Sequence, residues 1–155
     1  MTIYFISGAE GVGKSTIIFH IKKKLKKKRV YDFDSIGVPR NPPLSWRHKT
    51  TKHWLKVSEK NEELGKDTII IGLSFPKEVR RFSKRKDTRF ILLDISIKER
   101  EKRLRKRRAE EGVIKDTAQL IALRKDFRSL KNKRIINVSK LTPAQTSTKL
   151  LKFLK

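Results

Sequence analysis

Gly8-Ala9-Glu10-Gly11-Val12-Gly13-Lys14-Ser15, followed by Thr16, fits the pattern G-x-x-x-x-G-K-[ST] without a mismatch. Glycines at these positions let a chain curl until successive backbone N–H groups point at the oxygens of a phosphate. A helix opening directly behind such a turn adds the partial positive charge of its N-terminus. A lysine in the place of Lys14 reaches the β and γ phosphates of a nucleoside triphosphate, and the Ser15 hydroxyl can take one coordination position of Mg²⁺. The flanks agree with this chemistry. Ile3-Tyr4-Phe5-Ile6 reads as a short buried strand, and Ile17, Ile18, Ile21 and Leu25 recur at helical spacing over 14–28. The expected nucleotide-binding set is therefore Gly8, Glu10, Gly11, Val12, Gly13, Lys14, Ser15 and Thr16.

A second constellation lies in Val30-Tyr31-Asp32-Phe33-Asp34. Read as a strand, its alternation sends Tyr31 and Phe33 one way and Asp32 and Asp34 the other. Two carboxylates on one face at the C-terminal end of a strand stand where open α/β sheets bind their ligands. Either could orient or deprotonate an acceptor, and either could instead cap the following turn or neutralise a lysine-rich surface. Arg47, close behind the loop Gly37-Val38-Pro39-Arg40-Asn41-Pro42-Pro43, is a candidate for holding an anionic acceptor group.

The elements that must position these residues follow from pattern. Thr68–Gly72 and Arg89–Asp94 are apolar runs of strands buried on both faces, and Arg134–Val138 is a fifth strand. Ser45 is expected to cap a helix over 46–64 stopped by Gly65, with Trp54, Leu55 and Val57 as core. Pro76 opens a short helix with Val79 and Phe82, and a helix dense in Arg and Lys runs over 97–111 to Gly112. In that helix Arg100, Arg105 and Arg108 read as solvated. Asp116 or Thr117 caps the next helix, whose inner stripe is Leu120, Leu123 and Phe127; Thr142-Pro143 starts the last, with Leu150, Leu151 and Leu154 inward. Strands separated by helices give an α/β fold, a five-stranded parallel sheet with helices on both faces. The whole chain, 1–155, reads as one domain.

Composition sets bounds. The chain has 155 residues and no cysteine, which leaves no disulfide and no thiolate metal site. It shows no leader pattern and no apolar stretch of membrane-spanning length, so a cytoplasmic protein without membrane contact is expected. Its 41 Lys and Arg against 16 Asp and Glu give a net charge of +25. Such a field attracts anions, and weak, sequence-blind binding of nucleic acid through the surface lysines is expected; a compositional bias toward lysine gives the same count.

On these residues the chain resembles the small P-loop kinases of the nucleoside monophosphate kinase and shikimate kinase type. Asp32-Phe33-Asp34 looks like the D-x-D that shikimate-kinase-like enzymes place beside the acceptor hydroxyl and Mg²⁺. Leu93-Asp94 followed by Arg103 and Arg107 is similar to their strand and lid helix, in which arginines contact ATP phosphates or cover the adenine. Asn137 to Pro143 is similar to their last strand and adenine-contacting loop. The resemblance implies strand order 2-3-1-4-5, a mobile lid around 97–115, and Mg-ATP as donor. It also implies Lys14, Asp34, Asp32 and Arg103 as catalytic residues, with Arg103, Arg107 and Pro143 on the nucleotide, Ser15 and Asp32 on Mg²⁺, and Asp34 and Arg47 on the acceptor. The chain departs from that family at Ile71-Gly72, which carries no acid, and at Gly72-Leu73-Ser74, where shikimate kinases have three glycines. The activity implied is transfer of the γ-phosphoryl group of ATP to a small-molecule or nucleotide acceptor. A 5′-hydroxyl polynucleotide kinase is the alternative that also uses the charge. A GTPase-like switch is disfavoured, since no N-K-x-D occurs and no D-x-x-G follows the third strand.

Overall fold

Five apolar runs form one parallel sheet: β1 (Ile3–Gly8), β2 (Arg29–Asp32), β3 (Thr68–Gly72), β4 (Thr88–Asp94) and β5 (Lys133–Asn137), in the order β2-β3-β1-β4-β5. The computed structural model describes residues 1–107 and 117–155, with the backbone alone at Arg107. Its α-helices are α1 (Lys14–Lys24), α2 (Leu44–Glu63), α3 (Pro76–Phe82), α4 (Ile97–Arg107), α5 (Ala118–Arg128) and α6 (Pro143–Phe153). Glu111, Gly112 and Asp116, expected at helix boundaries, lie outside the described residues, as does the end of the proposed lid. Among the described residues no helix is long and apolar enough to cross a membrane.

Alternation along the buried strands divides the core. Tyr4 and Ile6 of β1 pack with Ile17, Ile18 and Ile21 of α1, with Leu150 of α6 and with Leu154 just after it. Ile3 and Phe5 face the opposite layer, with Trp54 and Leu55 of α2, Val79 of α3, and Leu123 and Phe127 of α5. Because the strands are parallel and in register, with Ile3 beside both Thr68 and Thr88, their C-terminal ends gather at one pole. That pole carries Gly8, Asp32, Gly72 and Asp94.

Local chemistry sets the ends. Helix α2 stops in a Schellman turn: Gly65 has φ 67°, its N–H donates to Glu62 O, and the Lys66 N–H donates to Asn61 O. Thr142 and Gln145 form a reciprocal capping box at the start of α6. Three expectations are corrected. Ser45 is not a cap; α2 already begins at Leu44, after Pro43 in extended conformation. Helix α1 ends at Lys24 rather than Lys28, because Leu25 leaves helical geometry and the Lys28 N–H closes a turn on Leu25 O. Finally, β5 runs over Lys133–Asn137 instead of Arg134–Val138, at the edge of the sheet, where Ile135 stays half exposed.

At the other pole Lys28 donates to Asp67, which also accepts the Thr2 N–H at 2.9 Å. Burial works to raise the Asp67 carboxyl, but these two donors outweigh it and hold the group below the ordinary carboxylate range. A depressed carboxylate contributes stability that is present above its unfolded value and lost as pH falls through the folded one. Asp67→Asn is therefore expected to lower stability at pH 7 by roughly 1–3 kcal/mol, the usual worth of hydrogen bonds to a charged group. The difference from wild type should fade below about pH 4, which denaturant melts across pH would register.

Candidate functional site

At the C-terminal pole of the sheet lies a cavity of about 890 Å³. The loop between β1 and α1 makes its floor. Ala9 and Val12 turn fully inward, anchoring the loop in the core and leaving its backbone to curl outward. Gly13 caps α1 in left-handed geometry at φ 92°, and a Cβ there would stand 2.8 Å from Pro143 Cγ. A side chain at 13 would thus be strained and would push away the start of α6. Lys14 Nζ reaches back over the loop and donates to Gly8 O at 2.8 Å.

The carboxylates arrive by a different route from the one alternation suggests. Strand β2 ends at Asp32, and Phe33–Ile36 form a 3₁₀ turn. Asp32 Oδ1 accepts the Asp34 N–H at 2.9 Å, so Asp32 caps the turn that carries Asp34. Phe33 is buried, and its Cβ would meet a Cβ on Gly72 at 2.4 Å; the glycine lets the turn close over the end of β3. Both acids still line the cavity, so the capping role and the facing role hold together for Asp32. Asp34 keeps contact with solvent at the mouth, while the surrounding walls strip part of its hydration. That desolvation pushes its carboxyl above the ordinary range; Lys14 pulls it back, Asp32 adds to the rise, and Arg47 opposes it.

Of the residues singled out by sequence, Glu10, Gly11, Gly13, Lys14, Ser15, Thr16, Asp32, Asp34, Arg47 and Arg103 line this one cavity. Gly8 and Val12 do not; Val12 is an anchor into the core, and Pro143 abuts Gly13 from outside. The side chain of Arg107 lies outside the described residues. Arg47 forms an ion pair with buried Glu78 at 3.2 Å, donates to Leu73 O at 3.4 Å, and lies over the Phe75 ring. Arg103 donates to Glu99 at 3.1 Å, to Val138 O at 2.8 Å and to Leu141 O at 2.9 Å, which ties α4 to the loop before α6.

Sequence reasoning missed two groups. Trp46 and the proline loop, Val38 to Pro42, wall the side of the cavity next to Asp34; the indole donates to Gly37 O at 3.2 Å and packs edge-on against Phe33. Arg100, expected in solvent, is fully buried, and its Nε donates to Glu10 O at 3.0 Å. Its stem passes close to Gly11, so α4 is fastened to the loop between β1 and α1 by its own arginine. The charge-dense helix concealed it; only the spacing to buried Leu104, one turn on, marks Arg100 as facing inward.

Ser15 and Asp32 suit Mg²⁺. Asp32 commits one oxygen to the Asp34 N–H and keeps the other, and no group of three or more His, Cys, Asp or Glu that could hold a metal occurs among the described residues. Mg²⁺ in phosphoryl-transfer sites is held in just this sparse way, by one or two protein oxygens together with substrate phosphates and water.

Known structures share this fold. A sugar kinase from Janibacter sp. HTCC2649 matches with a TM-score of 0.72 at 18% identity, over 99% of this chain and 94% of that one. Shikimate kinase from Aquifex aeolicus matches with a TM-score of 0.65 at 17% identity, over 99% and 96%. The tunicamycin resistance protein of Deinococcus radiodurans matches at 0.68 and 14%, over 99% and 95%. The fold is that of the small P-loop kinases. No protein-family model matches the sequence, and no curated protein matches it. Within this P-loop kinase fold the identities are low, and the likeness is one of architecture.

Arg100→Met keeps the volume and removes the bond to Glu10 O. The protein is expected to fold, while affinity for ATP falls about 10-fold or more, the equivalent of one charged hydrogen bond. Calorimetric titration of ATP beside a thermal melt checks both.

Proposed function

We propose that the protein is an ATP-dependent phosphotransferase that moves the γ-phosphoryl group of Mg-ATP to a hydroxyl or phosphate of a small-molecule or nucleotide acceptor. The observation that carries this reading is the meeting of Lys14, Ser15, Asp32, Asp34, Arg47 and Arg103 around one cavity at the strand ends. Phosphoryl transfer asks for positioning and charge neutralisation more than covalent chemistry. Backbone N–H groups of the curled loop and Lys14 would receive the donor phosphates, with Lys14 exchanging Gly8 O for a phosphate oxygen. Ser15 and Asp32 would hold Mg²⁺, which when bound neutralises the charge that develops between β and γ oxygens. Asp34 would accept a proton from an acceptor hydroxyl, a task that its raised carboxyl suits. Arg103 would close over the nucleotide from α4, and Arg47, held in place by Glu78, would contact the acceptor beside Trp46. The similar sugar kinase and shikimate kinase support a small hydroxylated acceptor as the first class to try.

The direct test is ATP consumption across sugars, other hydroxylated metabolites, nucleosides, nucleotides and 5′-hydroxyl oligonucleotides. Lys14→Ala should abolish turnover with any acceptor found, since the enclosed site makes that cation strong, and should leave the fold intact. Turnover retained in folded Lys14→Ala would refute the assignment. With the same acceptor Asp34→Asn should leave ATP affinity nearly unchanged and reduce kcat by about 10²–10⁴, the range for a lost general base. Normal kcat in that variant would return Asp34 to a purely structural part.

A further inference from the structure

The opposite pole of the sheet, where the strands begin, carries a second concave feature. Tyr4, Arg89 and Phe90 at the strand starts, Lys131 to Arg134 ahead of and within β5, and Lys152 and Phe153 at the end of α6 enclose about 590 Å³. A second hollow of about 400 Å³ adjoins it, sharing Phe90, Lys131 and Asn132 and extending past Arg80, Ser83 and Lys86. The first lies on the α6 side of the sheet and the second on the α3 side, and they meet at Phe90, Lys131 and Asn132; the pair is called the groove below.

Its charge is one-sided. No acidic residue lines either hollow, whereas the P-loop cavity is lined by Glu10, Asp32 and Asp34. Arg85, at one end, is neutralised by Asp87 and Glu62. Arg80, Lys86, Arg89, Lys131, Arg134 and Lys152 form no ion pair with any acidic residue among those described. Arg134 lies over the Phe153 ring at 5.2 Å, presenting a flat guanidinium backed by an aromatic face.

We propose that this groove binds a single-stranded nucleic acid. The cations are divided between two adjoining hollows, Arg89, Arg134 and Lys152 in one, Arg80 and Lys86 in the other and Lys131 in both, which fits successive phosphodiesters better than a lone phosphate. The Arg134–Phe153 plane offers a stacking surface to a base, and Asn132, Ser83 and Ser129 supply neutral hydrogen-bonding groups along the way. A concave floor suits a strand and not a flat lipid surface. The groove lies at the pole away from the phosphate-binding loop, so its occupation leaves the ATP cavity open, and the inference stands apart from the kinase reading.

The test is fluorescence anisotropy of a labelled oligouridine and a labelled oligothymidine 12-mer, measured with saturating Mg-ATP and across salt. Two double variants with equal charge change are compared, Lys131→Glu with Arg134→Glu in the groove and Lys22→Glu with Lys23→Glu on α1. Wild type should bind either oligomer, with log K falling linearly in log salt. The groove variant should lose about tenfold or more in affinity and flatten the salt slope by about 1.4, two single-strand phosphate contacts at 0.7 each. The α1 variant should stay within about threefold of wild type, and both should keep wild-type melting and ATP turnover. Equal losses in the two variants would mean diffuse attraction by net charge and would overturn the proposal. So would an absence of wild-type binding at low salt, or retention on phosphatidylserine vesicles through Lys131 and Arg134 without oligonucleotide binding.

Discussion

Everything at the working pole rests on the inward anchoring of Ala9 and Val12. With both side chains fully buried in the core, the chain between β1 and α1 cannot relax into an open turn. It has to curl, and left-handed geometry at Gly11 and Gly13 is what makes the curl possible. Three further contacts press on this loop from outside: Pro143 against Gly13, Arg100 against Glu10 O and Gly11, and Lys14 across to Gly8 O. A phosphate cradle built from backbone is only as good as the packing beneath it, and here that packing is continuous with the central strand.

The parallel sheet does the rest of the positioning. Side chains far apart in sequence, from Lys14 to Arg103, reach one cavity because all five strands end at the same pole, and the crossover helices return the chain beneath it. Gly72 allows Phe33 to sit against the end of β3, which sets the height of Asp34 above the sheet. Arg103 and Arg100 leave the same helix for different destinations, one to the loop before α6 and one to the loop before α1. Helix α4 is in this way connected both to the loop before α1 and to the loop before α6.

Much of this was legible in the residues. The P-loop motif and its flanks specified β1, the turn and α1; uninterrupted apolar runs specified β3 and β4 as strands buried on both faces. Strand order came from resemblance alone, since pattern carries no information on which strands are neighbours. The pairing of Asp32 with Asp34 was anticipated on a wrong premise: the strand stops at Asp32, and the bond from the Asp34 N–H to Asp32 Oδ1, not alternation, holds the two acids together around buried Phe33. Arg100 was illegible because a helix dense in arginine and lysine has an apolar stripe too sparse to orient it. Surface charge, read as a total, gave no hint of its division into a cavity with three acids and a groove with none.

The central claim is that the curled loop is a triphosphate site facing Asp34. The most direct measurement is a crystal structure with Mg²⁺ and a non-hydrolysable ATP analogue. The account predicts the β and γ phosphates inside the loop 8–15, Lys14 Nζ turned from Gly8 O onto a phosphate oxygen, and the metal between Ser15 and Asp32. Nucleotide bound elsewhere, or Lys14 still seated on Gly8 O with the cavity empty at saturating analogue, would contradict it.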